Sequence, residues 1–138
     1  MHGKVQWLKN MAKVLIDTNV ILRYILNDNE DMAMKAANII KNGAITLPEV
    51  LAEVVYVLKK VYEVKKEDIV NTLLDILNEV EVEHRETIIK AVQIFSESNL
   101  DFVDCILIAY HEVEEIEVFT FDKKLNNKLK IKGTNDGN

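Results

Sequence analysis

Short runs rich in β-branched and apolar residues alternate along the chain with longer stretches in which apolar positions recur every three to four residues. "KVLI" (13–16), "AITL" (44–47), "VEVEH" (80–84) and "IEVFTF" (116–121) read as strands. The helical spacing predicts helices over 19–27, 30–42, 48–62, 66–78, 86–97 and 101–114, with a last short one from about 123. Strands separated by helices require crossover connections, and crossovers lay parallel strands side by side with helices on both faces. The pattern therefore predicts an α/β fold, a three-layer α-β-α sandwich around a mostly parallel sheet of four or five strands. In open parallel sheets ligands bind beyond the carboxyl ends of the strands, so residues directly after each strand become the first candidates for function.

Composition narrows this picture. A chain of 138 residues that is 49% hydrophobic suits one domain with one core, expected over residues 11–132, with 1–10 a loose N-terminal extension and 133–138 a flexible tail. One proline and four glycines punctuate the chain, and no stretch reads as a linker or a repeat. The single cysteine, Cys105, excludes an intrachain disulfide and any cysteine-rich zinc site, and it falls in an apolar run that reads as core. No apolar run approaches the length of a membrane span and the N-terminus lacks a signal-peptide core, which leads us to expect a soluble, cytoplasmic protein. The formal net charge of −6 argues against nucleic-acid binding by bulk electrostatics alone. A local basic strip does exist, with Lys123, Lys124, Lys128, Lys130 and Lys132 in "FDKKLNNKLKIK"; taken by itself it reads as a solvated helix face.

The acids are placed more tellingly. Asp17 directly follows the first strand and Asp122 the last, on the expected rim of the sheet. Each also suits a helix N-cap, whose carboxylate accepts from the free amides of the first turn. Glu53 lies one turn into the helix opened by Pro48, about 40° outside an apolar arc made by Val50, Leu51, Val54, Val55, Val57, Leu58 and Val61. In "NLDFVDCILIAYHEV", Asp101 reads as an N-cap and Asp104 as an acid of the first turn, ahead of a turn that is apolar all round. Converging on one rim, these carboxylates would repel one another by several kcal/mol at an effective dielectric near 20. A hard divalent cation with oxygen ligands would neutralise them, which marks Asp17, Asp101, Asp104 and Asp122 as candidate metal ligands.

Other chemistries fall away. The glycines at 3, 43, 133 and 137 form no phosphate loop or dinucleotide fingerprint, and the only serines, Ser96 and Ser98, lie far from any strand-end acid. The three histidines are scattered, and His84 and His111 read as surface or packing residues. A phosphatase of the haloacid-dehalogenase type needs Asp-x-Asp after the first strand, where position 19 is Asn; a receiver domain needs an Asp after a middle strand, where "VEVEH" offers Glu83. A metal-dependent phosphodiesterase remains.

"LIDTNVILRYI", "LPEVLAEVVYVLKK", "LDFVDCILIAY" and "VFTFDKKL" together resemble the signature blocks of PIN domains, particularly the VapC-type toxin ribonucleases of toxin-antitoxin operons. The resemblance spans roughly residues 13 to 130. It implies an acidic catalytic quartet of Asp17, Glu53, Asp104 and Asp122, with Asp101 an accessory acid and Thr18, Asn19 and Thr120 supporting the site. It further implies a Mg²⁺- or Mn²⁺-dependent endoribonuclease, a homodimer held silent by a cognate antitoxin. RNA contacts are expected from Lys123, Lys124 and Lys128. Two alternatives stay open: a housekeeping RNA-processing nuclease of the same family, and a non-catalytic RNA- or protein-binding module that keeps the acids as helix caps.

Overall fold

Three of the four β-rich runs become strands. A computed structural model describes the backbone of residues 13–137 and the side chains up to residue 130; the expected extension at 1–10 lies outside the described residues. The chain divides into two compact units, one ending at Glu83 and the other beginning at His84.

The first unit holds the sheet. Its elements are β1 (Val14–Leu15), α1 (Thr18–Leu26), α2 (Glu30–Gly43), β2 (Ala44–Thr46), α3 (Pro48–Lys60), α4 (Lys66–Glu79) and β3 (Glu81–Val82). The strands lie in the order β1-β2-β3, all parallel, with Val14 opposite Ala44 and Leu15 opposite Ile45, then Ile45 opposite Glu81 and Thr46 opposite Val82. Two of these helices show local start or stop signals. Asn29 caps α2, its side chain accepting from the Met32 amide at 3.0 Å. Gly43 ends α2 at a φ of 115°, a value that a residue with a Cβ reaches only at a steric cost, and so turns the chain directly into β2. Pro48 opens α3, where its missing N–H costs nothing. The apolar faces then supply the core: Leu51, Val54, Val55 and Leu58 of α3 and Ile69, Leu73, Ile76 and Leu77 of α4 are all buried. Each such side chain contributes about 1.5–3 kcal/mol on burial. Val61, expected on the buried arc of α3, is exposed, because α3 ends at Lys60 and the arc ends with it.

The second unit is helical: α5 (Arg85–Glu97), α6 (Phe102–Glu114) and α7 (Lys123–Gly137). Helix α7 continues through most of the segment expected as a tail, as far as Gly137. Phe95 of α5 and Phe102 of α6 meet edge to face, centroids 5.6 Å apart and planes at 89°. At the start of α5, His84 takes a left-handed conformation, φ 56°. Its ring is held there from α6, with Nδ1 2.9 Å from Glu114 Oε2 and the ring tilted against Tyr110. The Thr87 hydroxyl donates to the same Glu114 oxygen at 2.6 Å, closing a polar clamp between α5 and α6.

The fold is thus α/β with a parallel sheet, as the alternation implied, but the sheet has three strands rather than four or five. Residues 116–121, expected as a strand, form none. β propensity expresses how well side chains pack on a pleated surface, and without a ladder to join it leaves a run extended but unpaired. The other expected elements agree with the observed ones to within two residues at nearly every end, α7 running on beyond the short helix foreseen.

Candidate active site

In the first unit, Asp17 follows β1 and caps α1. Its backbone is extended (φ −97°, ψ −177°) and its Oδ1 accepts from the Val20 amide at 3.0 Å. That bond uses one carboxylate oxygen and leaves the exposed side chain its other oxygen for a ligand. Capping and metal ligation are therefore compatible at Asp17. The carbonyl just ahead of it, that of Ile16, accepts from the Thr46 hydroxyl at 3.1 Å, while the Ile16 amide donates to the Ile45 carbonyl at 2.9 Å. Thr46 is 2% exposed and pins the end of β1. Sequence reading passed over Thr46; the available signal was a hydroxyl at the end of an otherwise apolar strand. Thr18 is half-buried and Asn19 exposed in the first turn of α1. Glu53 sits one turn into α3 and is exposed, further out than the edge of the buried arc.

The second unit gathers three acids. Asp101 stands at the N-cap position of α6, φ −65° and ψ 155°, but its side chain makes no capping bond, which corrects the expectation of a carboxylate cap there. Asp104 lies in the first turn of α6, half-buried. Burial holds its carboxyl above the ordinary range, the negative charges of Asp101 and Asp122 push it further up, and the Lys124 ammonium pulls it partly back. Lys124 was expected as part of an RNA-binding strip; the structure shows it as the counter-charge to Asp104, with its Nζ donating to the Asn99 carbonyl at 3.5 Å.

Asp122 is fixed by its neighbours. Its Oδ1 accepts from the Leu125 amide at 2.8 Å and caps α7, and its own amide donates to the Thr120 hydroxyl at 3.1 Å. The Thr120 carbonyl in turn accepts from Asn126 Nδ2 at 2.7 Å. The Thr120 hydroxyl thus holds the backbone of Asp122, and Asn126, which sequence reading passed over, holds Thr120 in turn. Leu125 and Leu129 are buried and anchor α7, which turns Lys123, Lys124, Lys128 and Lys130 outward to solvent.

Among the described residues, no group of three or more His, Cys, Asp or Glu side chains lies close enough to hold a metal ion by itself. The donor chemistry nevertheless suits a hard cation: every candidate ligand is a carboxylate, and two of them act on Asp104 as like charges. Mg²⁺ in particular is held by one or two carboxylates and keeps several waters, so it needs no closed protein cage. Cys105, the residue after Asp104, is fully buried and serves as core. Among the described residues, no helix is long and apolar enough to cross a membrane.

Comparison with known families finds a match to the PIN domain family model over residues 14–130. A search of curated proteins finds none that matches.

Proposed function

From the premise that the chain belongs to the PIN domain family, whose members are in general nucleases and generally use divalent metals such as Mg²⁺, we propose that this protein is a Mg²⁺- or Mn²⁺-dependent endoribonuclease, the toxin of a toxin-antitoxin pair. Asp17, Glu53, Asp104 and Asp122 are its catalytic acids, and Asp101 is an accessory one. Asp104 and Asp122, with Asp17 and Asp101, would hold the metal through carboxylate oxygens. A divalent cation bound by such ligands supplies positive charge for the phosphate and lowers the pKa of water, the two needs of phosphodiester hydrolysis. The chain's own residues set the stage: Thr120 and Asn126 keep Asp122 in place, Thr46 holds the chain end that carries Asp17, and Lys124 balances part of the negative charge around Asp104.

The observation that carries the reading is the carboxyl of Asp104, held up by burial and by two like charges. A group that only capped a helix would gain from its surroundings, whereas this one is disfavoured by them and would be relieved by a cation. RNA would be gripped by Lys123, Lys124 and Lys128 on its phosphates, with the metal reversing the local repulsion between an acidic site and a polyanion. The finer reading, a cytoplasmic homodimeric toxin silenced by an antitoxin, rests on the resemblance of the four sequence blocks.

Incubating the purified protein with RNA in chelator, Mg²⁺ or Mn²⁺ tests the activity: cleavage is expected with either metal and not in chelator. Equal cleavage in chelator would remove the metal from the reaction. A short neighbouring gene whose product co-purifies with this chain and blocks cleavage is expected for a toxin; its absence would leave a housekeeping nuclease.

A further inference from the structure

One lysine joins the segments that carry three of the proposed acids. Asp101 ends the loop that enters α6, Asp104 follows in the first turn of that helix, and Asp122 caps α7. Lys124, in the first turn of α7, reaches across to the loop: its Nζ donates to the carbonyl of Asn99, two residues ahead of Asp101, at 3.5 Å. Its charge acts on the Asp104 carboxyl in opposition to the charges of Asp101 and Asp122. The backbone beneath it is fixed, because Leu125 and Leu129 are buried and the Leu125 amide donates to the Asp122 carboxylate. The side chain itself is exposed and bound only at the long end of hydrogen-bond distance.

An ammonium and a hard divalent cation seek the same partners, carboxylate and carbonyl oxygens, and neither accepts a hydrogen bond. Set against one group of carboxylates, the two repel each other. We propose that Lys124 is a resident counter-cation: it bridges the two acid-bearing segments while no metal is bound, and it gives way to the divalent cation, its ammonium leaving Asn99 for solvent and substrate phosphate. The proposal rests on the nuclease reading above and deepens it by naming a regulator of that site. The exchange is easy on the lysine side, since a flexible four-carbon stem moves its charge without moving α7 and only a long, exposed hydrogen bond is lost. It also couples two needs of the site. The cation that neutralises the acids frees a positive charge for the polyanion, whereas the metal-free chain keeps that charge among its own acids.

Mn²⁺ binding to wild type, Lys124→Gln and Lys128→Gln by isothermal titration calorimetry tests the exchange, together with the ¹H–¹³Cε resonance of Lys124 in wild type as Mg²⁺ is added, assigned by its absence from Lys124→Arg. An exposed pair of unit charges alters a binding constant by roughly 1.5- to 5-fold and a divalent ion doubles the exponent, so Lys124→Gln is expected to bind Mn²⁺ roughly 2- to 30-fold more tightly than wild type. Lys128→Gln, one turn further along α7, is expected to gain by a smaller factor. The Lys124 resonance is expected to move toward that of Lys128 as Mg²⁺ saturates the site. In chelator Lys124→Gln is expected to melt below wild type, and Mn²⁺ to raise its Tm by more than it raises that of wild type. Equal or weaker Mn²⁺ binding by Lys124→Gln, a gain as large in Lys128→Gln, or a Lys124 resonance that stays in place at saturating Mg²⁺ would each overturn the exchange and leave the metal site standing. Mn²⁺ binding by neither wild type nor Lys124→Gln would overturn the exchange and the metal-dependent reading together; binding by Lys124→Gln alone would support an exchange that lies far on the lysine side. The resonance is read on the wild-type chain, so it decides the matter if Lys124→Gln does not fold.

Discussion

Replacing Asp104 by Asn keeps the shape of the side chain and removes one negative charge from a group that contains Asp101 and Asp122. Screened by water at a partly exposed site, each like-charge contact costs up to roughly 1 kcal/mol, and the attraction of Lys124 offsets only part of this repulsion. Against the substitution stands the helix dipole, since Asp104 lies in the first turn of α6, where a negative charge is worth about 0.3–1 kcal/mol. Relief of desolvation, the leading cause of the upward shift, tips the balance toward Asn. We expect the metal-free variant to be more stable by about 0.5–1 kcal/mol at pH 7 and low salt. The sign with pH follows from the direction of the shift. A carboxyl held above its ordinary range keeps its proton in the folded chain over a span where the unfolded chain has lost it, so folding stability falls as pH rises through that span. The penalty is full above the span and absent below it, so the stability advantage of the Asp104→Asn variant over wild type should vanish by about pH 3, below the ordinary aspartate range. Urea denaturation in chelator measures this, at low salt and again near 1 M salt, where a Debye length of about 3 Å should shrink the gain. Adding Mn²⁺ at about 100 times its Kd should then stabilise wild type by roughly 2.7 kcal/mol and the variant by much less. An Asn variant that is less stable than wild type in chelator at pH 7 would refute the reasoning and leave Asp104 a helix-dipole residue.

The remaining expectations concern the groups around the acids. Asp17→Asn should keep the cap on the Val20 amide and fold as wild type, whereas Asp17→Ala should lose about 0.5–2 kcal/mol in thermal or urea unfolding; equal stability of the two would show that the cap contributes nothing. Thr46→Val removes the buried hydroxyl that meets the Ile16 carbonyl, and a loss of about 1–3 kcal/mol is expected by urea denaturation; stability equal to wild type would show that the bond does not hold the end of β1. Changing Lys123, Lys124 and Lys128 together to Gln should weaken RNA binding by a similar factor for every sequence and flatten the salt dependence by up to about 0.7 per lost contact, without moving the cleavage position; an unchanged salt slope in a filter-binding assay would make the strip a solvated helix face.

What could be read in advance followed physical scale. Helices α2, α3, α4, α5 and α6 carry thirteen or fourteen residues each, enough turns for an apolar stripe to repeat, and some of their ends are marked by Asn29, Pro48 and Gly43. Strands of two or three residues leave almost no period to detect, and whether a β-prone run such as 116–121 joins a sheet depends on a neighbour that spacing cannot supply. Asp17 and Asp122 announced themselves as caps because a cap is local, settled within three residues. Asp101 held the same position without the bond, since side-chain rotation is not written in the spacing. The action of Lys124 on Asp104 joins residues twenty positions apart, and the Thr46 bond to Ile16 joins residues thirty apart; both needed the folded chain to be seen.

The central claim is that four carboxylates carry metal-dependent RNA hydrolysis, and the most direct test is the single-turnover cleavage rate of Asp17→Asn, Glu53→Gln, Asp104→Asn and Asp122→Asn at saturating Mg²⁺, each protein first shown to be folded by circular dichroism. Each amide keeps its side-chain volume and hydrogen-bonding reach while losing the charge. Every one of the four is expected to fall at least about 100-fold below wild type, the scale on which loss of a group that positions or neutralises charge in a transition state is felt. Four folded variants that cleave within about twofold of wild type, less than about 0.5 kcal/mol of transition-state free energy, would contradict it.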